Sequence, residues 1–112
     1  MNSRDIQLDL LSKLELNPSY TQRELSRDIG VSLGKVNYCM QKLMERGLVK
    51  LNNFSLNNNK VGYAYLLTPK GVDEKARLTI AFLKAKITEY EDLKDEINKL
   101  KNDPDKLHSK LS

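Results

Sequence analysis

From Val31 to Lys50 the chain reads VSLGKVNYCMQKLMERGLVK, and its polar residues are of types that suit nucleic-acid edges and phosphates. Lys35 is fit for a guanine edge or a phosphate, while Asn37 and Gln41 carry the adjacent donor and acceptor that match adenine. Ser32 and Tyr38 offer hydroxyls to phosphate oxygens, and a helix N-terminus at Ser32 adds free amides. Gly34 stands in the first turn, although glycine costs roughly 1 kcal/mol against alanine inside a helix. Two reasons for it are open: a ligand backbone comes close there, or the preceding helix packs tightly on it. Leu33 completes the exposed set. Val31, Val36, Met40 and Leu43 fall at helical spacing and are expected to face a core, with Cys39 beside them as a small core residue.

Other chemistry has little to build on. The 112 residues contain one cysteine and one histidine, Cys39 and His108. No His/Cys/carboxylate cluster suggests a metal, no nucleophile–base pair suggests an enzyme, and no cofactor is implied. A lone cysteine excludes an internal disulfide and agrees with a reducing, cytoplasmic location. The apolar runs are far shorter than the 18 or more residues that a membrane helix needs, so no membrane association is expected. The opening MNSRDIQLDLLSKL has an acid every few residues and no small-residue cleavage site, unlike a signal peptide.

The net charge is only +4, but it is unevenly placed. Residues 71–112 hold nine basic and nine acidic residues, whereas 20–70 hold eight basic against three acidic. The window 46–72, RGLVKLNNFSLNNNKVGYAYLLTPKGV, has no acid at all. A localised excess of this kind is what an anionic partner requires.

The elements that must position these residues are legible from caps and periodicity. RDIQLDLLSKLEL places Ile6, Leu10, Leu11 and Leu14 on one helical stripe, ended by Asn17-Pro18. TQRE at 21–24 reads as a capping box that opens a second helix, with Leu25 and Ile29 as its inward pair and Gly30 as its left-handed stop. Arg23 and Arg27, four residues apart, are candidate phosphate contacts from this positioning helix. Ser32 caps the third helix, which is expected to run to about Arg46 and stop at Gly47. Two helices joined by Gly30-Val31-Ser32 have the spacing of a helix-turn-helix.

After Gly47 the period changes to that of strands. Leu48 to Leu56 is extended, and Val61, Tyr63, Tyr65 and Leu67 alternate with Gly62, Ala64 and Leu66, predicting a strand with one face buried, whose Tyr63 and Tyr65 are expected in the core or at an interface. SLNNNK between them predicts a turn, whose Asn57, Asn58, Asn59 and Lys60 are candidates for flanking DNA. Thr68-Pro69 opens a last helix, with no breaker before Pro104. Its apolar positions, Ala76, Ile80, Leu83, Ile87, Tyr90, Leu93, Ile97 and Leu100, alternate steps of three and four with one short step at Tyr90–Leu93. Some 35 residues at 1.5 Å each span about 50 Å, more than a 70-residue domain can cover. The positions from Ile80 to Leu100 are therefore expected to pair with the same helix of a second chain. The fold class that results is mainly α with a small β-hairpin. A winged helix-turn-helix domain occupies 1–70, a long C-terminal dimerisation helix 71–102, and a polar tail 103–112.

The run TQRELSRDIGVSLGKVNYCMQKLMERGLVK, the hairpin, and YAYLLTPKG at 63–71 together resemble the MarR-type winged-helix transcription regulators. LTPKG at 67–71 is similar to the LTxxG signature that joins that family's wing to its C-terminal helix. The continuation VDEKARLTIAFLKAKITEYEDLKDEI resembles a small bacterial subfamily associated with exopolysaccharide gene clusters. The likeness extends over residues 4–100. It implies a homodimeric DNA-binding regulator on a pseudo-palindromic site, with Ser32–Gln41 in the major groove and Lys60 nearest the family's wing arginine. NNNK replaces the family's acidic-then-arginine wing motif. Family members generally carry a longer N-terminal segment, so here the dimer is expected to rest mainly on the last helix, and no effector ligand is implied. The alternative from the residues alone is a winged-helix adaptor that recruits another protein without touching DNA.

Overall fold

The computed structural model describes residues 3–57, 60–103 and 105. Its elements follow in the order α1 (Ser3–Leu16), α2 (Gln22–Ile29), α3 (Leu33–Glu45), β1 (Val49–Asn57), β2 (Lys60–Leu67) and α4 (Pro69–Lys101). The architecture is mainly helical with one antiparallel hairpin, as the sequence predicts.

Local chemistry sets the helix ends. The Thr21 hydroxyl accepts from the Glu24 amide at 3.1 Å, and the Glu24 carboxylate accepts from the Thr21 amide at 3.2 Å. This reciprocal box satisfies two amides that the first turn of α2 leaves without carbonyl partners. Gly30 ends α2 at φ 81°, and Gly47 follows α3 at φ 71°, both in the left-handed region that glycine enters without a Cβ clash. The Ser26 hydroxyl donates to the Val31 carbonyl at 2.5 Å and closes the α2–α3 turn.

One core joins these helices. Ile6, Leu10, Leu11 and Leu14 of α1 are buried with Leu25 of α2 and Val36, Cys39, Met40 and Leu43 of α3. Leu48 and Val49 enter it from the base of the hairpin, and Leu78 from α4. Fully burying one such side chain contributes roughly 1.5–3 kcal/mol. Ile29 and Val31, expected inside, are only partly buried and pack against the margin of this cluster.

The hairpin pairs Val49 with Leu67 at its base and Asn57 with Lys60 at its far end, with an irregularity between Ser55 and Asn57. Burial along β2 is described from Tyr63 to Leu67. Tyr65 and Leu67 pack against the core, but Tyr63 is 57% exposed. Each residue advances the strand by about 3.4 Å, so four residues out from Leu67 the strand has outrun the helices beneath it. On the opposite face Ala64 is buried, next to the point where the Tyr65 amide donates to the Pro18 carbonyl at 3.1 Å.

Thr68 makes the joint between hairpin and α4. Its amide donates to the Leu48 carbonyl at 3.0 Å, and its hydroxyl donates to the Gly47 carbonyl at 2.6 Å. The same hydroxyl accepts from the Gly71 amide at 3.0 Å, capping α4. Glu74, near the start of α4, meets Arg46 at 3.5 Å and also pairs with Arg77. The Arg77 hydrogen bond, with Arg46 nearby, holds the Glu74 carboxyl below its ordinary value. Lys75 reaches Glu15 of α1 at 2.6 Å.

The chain divides into two compact units at the Thr79/Ile80 junction. Gly71 and Leu78, at the start of α4, are buried within the first unit. In the second unit α4 presents Ile80, Leu83, Ile87, Tyr90, Leu93 and Ile97, each between 51% and 65% exposed, while Leu100 is partly covered. The expected breaker, Pro104, and most of the tail lie outside the described residues.

Candidate nucleic-acid interface

Helix α3 is divided cleanly by its packing. Val36, Cys39, Met40 and Leu43 are buried, whereas Ser32, Leu33, Gly34, Lys35, Asn37, Tyr38 and Gln41 are all exposed. Ser32 caps the helix by accepting from the Lys35 amide at 3.1 Å. Its hydroxyl proton remains free to donate outward, beside the first-turn amides.

Gly34 resolves one of the open alternatives. A Cβ built there meets nothing within 4 Å, so tight packing by the preceding helix is not the reason for the glycine. Gly34 instead lines an open groove of about 650 Å³ with Thr21, Gln22, Arg23, Leu33 and Asn37. The start of α3 is thus an open, accessible surface with helix N-terminal amides at its edge.

Farther along, the Tyr38 ring lies between two ammonium groups, Lys35 Nζ at 5.8 Å and Lys42 Nζ at 5.5 Å from its centroid. Cation–π attraction of this kind amounts to about 0.5–1 kcal/mol at an exposed site. The arrangement draws both lysines along the same exposed side of α3. Lys42 is not among the residues that the sequence alone singles out, although its i, i+4 spacing from Tyr38 is a usable signal.

Gln22, the first residue of α2, is a second residue that sequence reasoning passes over. It accepts from Asn37 Nδ2 at 3.2 Å and donates to the Tyr65 hydroxyl at 3.2 Å. No local spacing announces this contact, because the partners lie 15 and 43 residues away.

Arg23 and Arg27 are both exposed on α2. The three acids between residues 20 and 70 are each engaged nearby: Glu24 in its capping box, Glu45 with Lys42 at 3.4 Å, and Asp28 with Tyr20. The Asp28 hydrogen bond pushes the Tyr20 hydroxyl above its ordinary value. Of the wing candidates, Asn57 and Lys60 close the hairpin register, and Asn58 and Asn59 lie outside the described residues. Among the described residues there is no cluster of three or more metal-ligating side chains, and no helix long and apolar enough to cross a membrane.

A sequence model described as winged helix-turn-helix DNA-binding matches residues 3–50. No curated protein matches the chain in sequence. Among solved structures, the fold is similar to that of smu.1704 from Streptococcus mutans UA159, with a TM-score of 0.73, 18% identity, and coverage of 83% of this chain and 90% of that one. MarR of Staphylococcus aureus, solved with salicylate and kanamycin, has a TM-score of 0.58 at 18% identity, over 94% of this chain and 71% of that one. The adhesin competence repressor AdcR of Streptococcus pyogenes has a TM-score of 0.60 at 17% identity, over 85% and 66%. Residues 3–50 thus match a winged helix-turn-helix DNA-binding model, and over most of its length the chain has the fold of a winged helix-turn-helix followed by a long C-terminal helix.

Proposed function

We propose that the chain is a homodimeric, sequence-specific DNA-binding transcription regulator of the MarR type. The observation that carries this reading is the exposed side of α3, where Gly34 faces open space and Lys35, Asn37, Tyr38 and Gln41 line up beside it. In a helix-turn-helix the second helix enters the major groove, with its N-terminal residues nearest the bases. Ser32 to Gln41 select sequence. Arg23 and Arg27 on α2, and the 57–60 wing tip, contact phosphates of the flanking DNA.

The exposed apolar stripe from Ile80 to Ile97 supports pairing of α4 with a second copy. Leu100 continues the stripe. A twofold pair of recognition helices then meets a pseudo-palindromic site whose half-sites lie one helical turn, or a multiple of it, apart. The likeness of residues 72–97 to the exopolysaccharide-associated subfamily supports genes of that kind as targets.

In vitro selection from randomised duplexes tests the reading. Enrichment of a pseudo-palindrome at the stated spacing is the expected result. Failure to enrich any sequence, with no salt-sensitive retention on nonspecific DNA, would favour the adaptor.

A further inference from the structure

Asn37, Gln22 and Tyr65 belong to three separate elements, α3, α2 and β2, and form one line of side-chain hydrogen bonds. Asn37 Nδ2 donates to Gln22 Oε1 at 3.2 Å, and Gln22 Nε2 donates to the Tyr65 hydroxyl at 3.2 Å. The Tyr65 end is fixed: its side chain packs against the core and its amide donates to the Pro18 carbonyl at 3.1 Å. The Asn37 end is exposed, at the rim of the groove that Gln22 and Gly34 also line.

The direction of this line bears on what Asn37 can read. A side-chain amide has two N–H donors and one carbonyl acceptor. With one N–H directed to Gln22, Asn37 retains one donor and its oxygen, the pair that matches N7 and N6–H of adenine. Were the amide reversed, with its oxygen toward Gln22, only N–H groups would face outward. Two donors suit the N7 and O6 acceptors of guanine instead.

Resting on the DNA-binding reading above, we propose that Gln22 is a specificity-determining positioning residue. Held in place by Tyr65, it acts through Asn37, and in the observed orientation, with Gln22 Oε1 accepting from Asn37, it sets that amide to recognise adenine rather than guanine. Gln22 itself need not touch the duplex.

The test compares wild-type protein with Asn37→Ala, Gln22→Ala, Gln22→Glu and Tyr65→Phe on the selected site and its single-base variants. Asn37→Ala identifies the base pair concerned. Gln22→Ala is expected to lose roughly tenfold in adenine-over-guanine preference at that same pair, within the range of one bidentate contact, with the salt dependence unchanged. Gln22→Glu is expected to keep the preference, because a carboxylate accepts from both Asn37 N–H and Tyr65 O–H. Its added negative charge weakens binding to every sequence alike. Tyr65→Phe, which keeps the ring and removes the anchor, is expected to lose part of the preference. Retention of the adenine preference by Gln22→Ala, or a uniform loss across all sequences, overturns the proposal and leaves DNA binding standing. A wild-type protein that selects no sequence overturns both.

Discussion

The carbonyl oxygen of Leu48 occupies the space that a side chain on Gly71 would need. The same carbonyl accepts from Thr68 at 3.0 Å, so it cannot turn aside without breaking the joint between hairpin and α4. Gly71→Ala is therefore expected to destabilise the first unit by about 1–3 kcal/mol, the usual range for overpacking. Urea unfolding checks this, and an unchanged midpoint would show that the joint yields.

Gly34 is the opposite case. With open space around its Cα, Gly34→Ala is expected to fold normally and to gain up to about 1 kcal/mol in stability from helix propensity. DNA affinity is expected to fall, because the added methyl stands on the surface proposed to approach the duplex. A variant that is more stable and binds as well as wild type would remove Gly34 from the interface.

The two lysines flanking Tyr38 are separable by salt. Lys42→Ala is expected to weaken binding evenly across sequences and to reduce the slope of log affinity against log salt by about 1. Lys35→Ala is expected to cost on the order of 1–3 kcal/mol and to relax selection at one base pair. Titrations at several salt concentrations, on specific and nonspecific duplexes, distinguish the two patterns.

Ile87 is 56% exposed near the middle of the α4 stripe. Ile87→Glu is expected to yield monomers in sedimentation equilibrium while leaving the unfolding of the first unit nearly unchanged. Affinity for a two-half-site operator then falls by roughly 10²–10⁴, the usual contribution of linking two binding modules. A variant that stays dimeric would place the dimer contact elsewhere.

Glu74 links stability to acidity. The Arg77 hydrogen bond, with Arg46 adding to the effect, holds its carboxyl below the ordinary glutamate value in the folded state. A depressed carboxyl contributes stability that is present above the unfolded value and lost as pH falls through the folded one. Glu74→Gln is thus expected to lower stability at neutral pH and to flatten its decline as pH falls below the ordinary glutamate range. Denaturant melts across pH 3–7 would show parallel curves if the pair contributes nothing.

The features legible in the sequence are those decided within a few residues. The capping box at Thr21, the serine cap at Ser32 and the left-handed glycines at 30 and 47 all form as read. Each depends on bonds spanning three to five positions. The buried stripe of α1 is equally legible, since a helix shows its core face as periodicity. The exposure of Tyr63 is not legible, because alternation reveals a strand's two faces but not how far the core extends beneath them. Gln22 and Lys42 escape for different reasons. Gln22 acquires its role only when distant segments meet, whereas Lys42 needs only attention to its spacing from Tyr38. Gly34 shows a limit of another kind: its oddness is visible in the sequence, but only the space around it decides between the two explanations.

Lys42 sits between the Tyr38 ring and the Glu45 carboxylate, 3.4 Å away. An exposed pair of this type is worth roughly 0.2–1 kcal/mol. The helix therefore carries its own surrogate anion, and on the proposed DNA-binding reading a phosphate arriving at Lys42 would exchange with a resident carboxylate instead of meeting a bare charge. The exchange leaves a smaller net gain at random sequence than an unpaired lysine would give. On that reading it would raise the relative weight of the contacts proposed to discriminate among bases.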